Sequence, residues 1–230
     1  MKAIVYSETG DPSVLRLVDR EVPEPGPGEV RVRIHTSGVN PTDWKNRSGN
    51  ARPLEYPEAT PHHDGAGVVD AVGPGVDAFA EGDRVWTYMA ALGRPGGTAQ
   101  EFTMLPTSAL APLPDNASFE LGASLGVPAV TAHRALTVAE NGPRRLAPKA
   151  LDGLTVLVAG GAGAVGHAAI QLARWAGATV ISTVSGPEKA ALATAAGAHH
   201  VVNYREGDPA AEIRKVATEG IDIIVDVAVA

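Results

Sequence analysis

The stretch "TVLVAGGAGAVGHAAIQLARWAG", residues 155–177, decides the fold of the second half of this 230-residue chain. Thr155 to Ala159 is a short apolar run, which reads as a buried strand. Four glycines follow within seven residues, and from Ala164 apolar positions recur at helical spacing. Gly161, Gly163 and Gly166 spell G-x-G-x-x-G at this strand-to-helix turn. The first glycine allows a tight turn, the second lets a pyrophosphate approach the backbone, and the third lets the helix pack against the strand. Unpaired amides at the helix start, with their partial positive charge, then hold phosphates. The same spacing also occurs in a bare turn without ligand. The strand before, the helix after and a second strand near residue 178 favour a dinucleotide.

Beyond the turn the pattern repeats. "TVLVAG" (155–160), "ATVISTV" (178–184), "HHVVNY" (199–204) and "IDIIVDVA" (221–228) read as strands, with helices expected over 164–176, 187–196 and 209–218. Apolar strands alternating with amphipathic helices imply a parallel sheet covered on both faces. A doubly wound sheet runs in the order 3-2-1-4-5-6, and the chain stops after the fourth strand. The expectation is a C-terminally truncated chain whose incomplete sheet ends in an apolar edge.

Upstream the period changes. In "GEVRVRIHTSGVN" Val30, Val32 and Ile34 alternate with Arg31, Arg33 and His35, as in a half-buried strand. "GAGVVDAVG", "GDRVWTYM" and "GTAQEFTML" read as further short strands, so residues 1–125 are expected to form a mainly-β barrel or sandwich. "FELGASLGVPAVTAHRALTV" reads as a bridging helix interrupted near Pro128. Residues 126–230 form the α/β domain, with the first four strands of its sheet.

Composition narrows the function. A net charge of −7 argues against a nucleic-acid partner, and the absence of cysteine excludes disulfides and thiolate metal sites. Residues 154–173 are apolar enough to suggest a membrane span, but their glycines, His167 and Gln171 point to a buried crossover. No signal segment is seen, and a soluble, cytoplasmic protein is expected.

The choice of nucleotide turns on the end of the second strand, where an NAD site usually offers a carboxylate to the ribose. Here Ser182, Thr183 and Ser185 are neutral, and Glu188 lies past Pro187 in the next helix. A 2′-phosphate meets no repulsion, and Lys189 is a cation within reach, so NADPH is favoured over NADH.

The motifs "VPEPGPGEVRV", "SGVNPTD", "DGAGVVDAVGPGV", "GDRVW", "GVPAVTAHRAL", "AGGAGAVGHAAIQLARWAGA" and "AGAHHVVNYRE" follow one another in an order that resembles the medium-chain dehydrogenase/reductase superfamily, in its zinc-free quinone oxidoreductase (zeta-crystallin-like) branch. The resemblance implies a GroES-like catalytic domain before a Rossmann domain, and a homodimer in the full-length parent. It also implies hydride transfer from NADPH to a small-molecule quinone or enone. By position, Gly163, Ala164 and Val165 fall at the phosphate turn, and Lys189 and Tyr204, with Ser185 nearby, at the 2′-phosphate. Asn40 and Thr131 fall beside the nicotinamide, with Asp43 in the substrate-side turn. Ala164 replaces the glycine usual at its position. Asp43 is equally explained as a cap for the helix beginning "WKNRSG". Trp44, Tyr56, Trp86 and Tyr88 are candidates for an acceptor pocket or for core packing.

Zinc-dependent relatives carry a Cys near the position of Asn40 and Pro41. Here only His62, His63 and Asp64 echo a ligand set, and no metal site is expected. The alternatives are an enoyl-thioester reductase of the same fold and a catalytically silent NADPH-binding protein.

Overall fold

Val30 and Val32 are completely buried and Arg33 and His35 exposed, so the alternation read from the sequence sets which face of the longest strand meets the core. The computed structural model describes residues 1–139 and 142–227. It divides into two units, Met1–Val127 and Pro128–Ala230.

In the first unit β1 (Lys2–Val5) and β2 (Arg16–Asp19) form an antiparallel pair. β3 (Glu29–Gly38), β4 (Asp64–Val72), β5 (Arg84–Thr87), β6 (Phe102–Pro106) and β7 (Leu110–Pro112) form an antiparallel sheet in the order β6-β3-β4-β5-β7. Val30, Val32, Val69, Val85 and Leu105 make its core. The expected strand over 97–105 is shorter than its pattern. Gly97, Thr98 and Ala99 instead donate to the carbonyls of Thr60, His62 and Pro61, which ties this loop to the segment leading into β4. α1 spans Pro41–Ser48 and so begins three residues before "WKNRSG", with Asn40 as its N-cap.

α2 (Phe119–Thr137) corrects a further expectation: it runs through Pro128 without interruption. Proline inside a helix removes one hydrogen bond and costs about 3 kcal/mol. Burial on either side offsets this, since Ala123 is buried before the proline and Ala132 and Leu136 after it. The amide of Val127, next to the proline, donates to both oxygens of Asp64 at 2.9 and 2.8 Å.

In the second unit β8 (Thr155–Ala159), β9 (Thr179–Val184), β10 (His200–Asn203) and β11 (Ile223–Val225) are parallel, in the order β10-β9-β8-β11. This is the expected 3-2-1-4 order. The helices α3 (Ala164–Trp175), α4 (Pro187–Ala195) and α5 (Pro209–Val216) start where the pattern placed them and end one or two residues early. Ala228, at the end of the fourth expected strand, lies outside the described residues. α3 packs Ala169, Ile170 and Ala173, all fully buried, into the core of this unit, with Ala176 buried at its C-cap and Ala193 of α4 beside them.

Candidate functional site

The glycine turn lies at the carboxyl end of β8, and β8 adjoins both β9 and β11, so it sits where the strand order reverses. Open α/β sheets bind ligands at such a switch point. Each glycine has a separate cause. Gly160 takes the left-handed conformation (φ +69°) and makes the turn, a role the sequence pattern gave to Gly161. Gly161 is instead packed: a Cβ there would lie 2.0 Å from Ser182 Oγ. A Cβ on Gly166 would lie 2.4 Å from the Gly160 carbonyl oxygen, which is the close approach of helix to turn expected of the third glycine. Gly163 is the N-cap of α3, and no side chain caps the helix, which leaves the first-turn amides, including those of Ala164 and Val165, directed out of the helix end.

Gly160, Ala162, Gly163, Val184, Ser185, Lys189 and Tyr204 line one concavity of about 250 Å³. The structure therefore brings together Gly163, Ser185, Lys189 and Tyr204, four positions named from the sequence, and adds Gly160, Ala162 and Val184. Ser182 is fully buried and donates to the Val158 carbonyl, so it is structural. These residues suit a nucleotide with a 2′-phosphate: main-chain donors at a helix start, one cation, and no carboxylate on the wall. Thr131 lies half-buried in α2, within this unit.

A second concavity, also about 250 Å³, belongs to the first unit. Asp43, His62, His63 and Tyr6 share its wall with apolar side chains that include Leu54, Met89 and Val127. Tyr56 lines it, whereas Trp44 is exposed beside Lys45, and Trp86 packs against the Ala66, Leu113 and Ala123 cluster. His62 and Met89 both hold positive φ (79° and 56°), a strained backbone for such residues.

Two carboxyls are buried here, Asp43 on this wall (5% exposed) and Asp64 next to it (1% exposed). Asn40 joins them. Its backbone N–H donates to Asp43 Oδ2 at 2.7 Å, and its side-chain Nδ2 donates to Asp64 Oδ2 at 2.7 Å. Asp43 thus caps α1 from its third position while lining the concavity. Burial pushes the Asp43 carboxyl up to about 6, and the nearby Asp64 charge adds to the rise, against hydrogen bonds from the Asn40 and His63 backbone. Burial likewise raises Asp64, against the hydrogen bonds from Val127 and Asn40. Burial holds Tyr6 above the ordinary phenol value and both His62 and His63 below the ordinary imidazole value.

The donor set does not suit a catalytic zinc. The chain has no cysteine, and among the described residues no group of three or more His, Asp or Glu converges. His62 Nδ1 is engaged by Ser37 Oγ at 2.9 Å.

Residues 26–115 match the model of the alcohol dehydrogenase GroES-like domain, and residues 164–230 match that of the zinc-binding dehydrogenases. The human quinone oxidoreductase is 38% identical over 228 residues, covering 98% of this chain and 66% of that protein. A 2-haloacrylate reductase from Burkholderia is 34% identical over 231 residues, with the same coverage. The chain thus spans just under two thirds of the length of the curated relatives it matches. A mycobacterial protein solved in complex with NADPH is 36% identical and superposes with a TM-score of 0.80, covering 100% of this chain and 68% of that one. With the parallel sheet, the glycine turn and these matches in agreement, the chain belongs to the medium-chain dehydrogenase/reductase superfamily, in its quinone oxidoreductase branch.

Proposed function

We propose that this chain carries the nucleotide and acceptor sites of a zinc-independent reductase that moves hydride from NADPH to a quinone or another conjugated carbonyl compound. The observation that carries the reading is the single concavity shared by Gly160, Gly163, Ser185, Lys189 and Tyr204. Its wall offers a helix start to a pyrophosphate and the Lys189 ammonium to a 2′-phosphate. The NADPH complex of the mycobacterial relative and the name of the human one support the same reading.

NADPH, when bound, supplies the hydride, and a conjugated carbonyl is electrophilic enough to accept it without a Lewis acid. The protein's part is orientation and shelter from water. Asn40, its amide braced on Asp64, is the first-unit residue that orients the nicotinamide. Asp43 fixes the start of α1 and places its carboxyl on the acceptor wall. Zinc independence rests on the donor set, which lacks the thiolate and, among the described residues, a third converging ligand. The name of the Burkholderia relative favours a second acceptor class, conjugated acids and their derivatives. Comparing turnover of para-benzoquinone, 2-haloacrylate and an enoyl thioester separates the two.

The test is a fluorescence titration with NADPH and with NADH. Lys189→Ala is expected to weaken NADPH about tenfold, the worth of one charge-assisted contact, and to leave NADH unchanged. Equal affinity of the native protein for both nucleotides overturns the NADPH assignment.

A further inference from the structure

Two histidines stand side by side on the wall of the first-unit concavity, and their hydrogen bonding differs. The His62 ring is committed: Nδ1 meets Ser37 Oγ at 2.9 Å, that oxygen meets Thr98 Oγ1 at 2.8 Å, and Thr98 Oγ1 donates to the Asp64 carbonyl at 2.5 Å. His62 is therefore part of the scaffold that holds the entry to β4. The His63 backbone is equally fixed, its N–H toward the Asp43 carboxyl and its carbonyl accepting from Ala90 N at 2.9 Å. Its ring is not. His63 is only 6% exposed, and its Nδ1 is buried without any partner. Nε2, unlike Nδ1, is not among the fully buried unpartnered atoms, and the residue lines the open space of the concavity.

This arrangement selects a tautomer. A buried N–H without an acceptor costs about 1–3 kcal/mol, and orphaned N–H groups are rarer than bare acceptors. Placing the proton on Nε2 lets water or a ligand satisfy it and leaves only a bare lone pair at Nδ1. Burial, Arg52 and His62 keep the ring neutral, so the group donates a hydrogen bond without being a strong acid. Around it Leu54, Met89, Leu92 and Val127 supply apolar surface suited to a flat organic ring. A donor on a residue only 6% exposed, lining a hollow where apolar side chains alternate with Asp43, Arg52 and Arg94, is a site for one oxygen atom.

We propose that His63 is a catalytic residue of the acceptor site, its Nε2–H donating to the carbonyl oxygen of a bound quinone or enone. This rests on the reductase reading above and deepens it. As hydride arrives at the conjugated carbon, the C=O π pair moves onto oxygen, and the resulting oxyanion takes the His63 hydrogen bond. The neutralising proton then comes from water, and His63 keeps its own. Such a preorganised donor lowers the barrier because the bond strengthens as charge develops.

The probe is para-nitrophenol, whose coloured phenolate imitates that oxyanion and needs no nucleotide. Native protein is expected to bind the phenolate more tightly than the phenol. His63→Leu should weaken phenolate binding about tenfold, as loss of a hydrogen bond to a charged group does, while His63→Gln, which keeps a donor, restores most of it. Unchanged affinity in His63→Leu, or no phenolate binding by the native protein, overturns the proposal. Should the leucine variant fail to fold, nitrogen NMR of the native histidines decides. The Nε2–H tautomer of His63, with its resonance moved by nitrophenolate, supports the proposal, and the Nδ1–H tautomer or an unmoved resonance refutes it. With para-benzoquinone and NADPH, His63→Leu should lower kcat more than it raises KM, and NADPH binding should not change. Nitrophenolate discrimination without any turnover would sink the reductase reading and leave the oxygen site standing.

Discussion

At the scale of single residues, the first unit buries two carboxyls that make no salt bridge among the described residues and holds them with neutral donors, so their ionisation works against folding. Asp43 is raised from 3.8 to about 6. A group raised on folding stabilises the native state below its unfolded value, and that contribution is lost as pH climbs through the folded one. Asp43→Asn keeps an acceptor for the Asn40 amide and removes the titration. The difference in unfolding free energy between the native protein and this variant should therefore fall by on the order of 2 kcal/mol from pH 4 to pH 6, read by urea denaturation. A flat difference would mean that Asp43 titrates alike in both states. The motif "SGVNPTD" made Asn40 and Asp43 visible as candidates. His63 was legible only as one of two adjacent histidines, because the feature that separates it from His62 is a missing hydrogen bond, and sequence patterns carry no information on that.

Among the elements, α2 shows how a local rule is overruled. Pro128 reads as a break, and in isolation it would be one. The chain instead keeps the helix by giving the Val127 amide a carboxylate acceptor on β4, and Gly126 is required there, since a Cβ would lie 2.2 Å from Asp64 Oδ1. Asp64→Ala leaves the Val127 amide and the Asn40 side chain without their acceptor, and is expected to cost about 2–4 kcal/mol in thermal or chemical unfolding, whereas Asp64→Asn should cost less. The helices and the first three strands of the second unit were legible to within a residue or two because each carries its own period, 2 or 3.6, between glycine or proline markers, whereas the strand expected over 221–228 is only Ile223–Val225. Residues 97–101 were not: they carry a strand composition, but 97–99 donate to loop residues 60–62 and 99–101 meet Lys2, Ala3 and Ile4, long-range matches that no local pattern encodes. The left-handed glycine was misplaced by one position for a related reason. Gly160 and Gly161 are adjacent, and only packing against Ser182 decides which of them turns and which is squeezed.

For the whole molecule, binding of a nucleotide to folded but not unfolded chain must raise stability by mass action. NADPH at a hundred times its dissociation constant should add about 2.7 kcal/mol, seen as a rise in the melting temperature that NADH matches only at higher concentration. A melting temperature indifferent to NADPH would remove the nucleotide site from this chain. The alanines of α3 and α4 bear on a slower process. Ala169, Ala173, Ala176 and Ala193 are fully buried, so the backbones they carry lie close to their neighbours with no spare room. Enlarging any of them forces overpacking at about 1–3 kcal/mol, whereas trimming one to glycine removes a single methyl and about 1 kcal/mol of helix preference. Sequence drift at these positions is thus a one-way valve: descendants of this chain can exchange alanine for glycine, but a larger side chain can enter only after a neighbour has already shrunk.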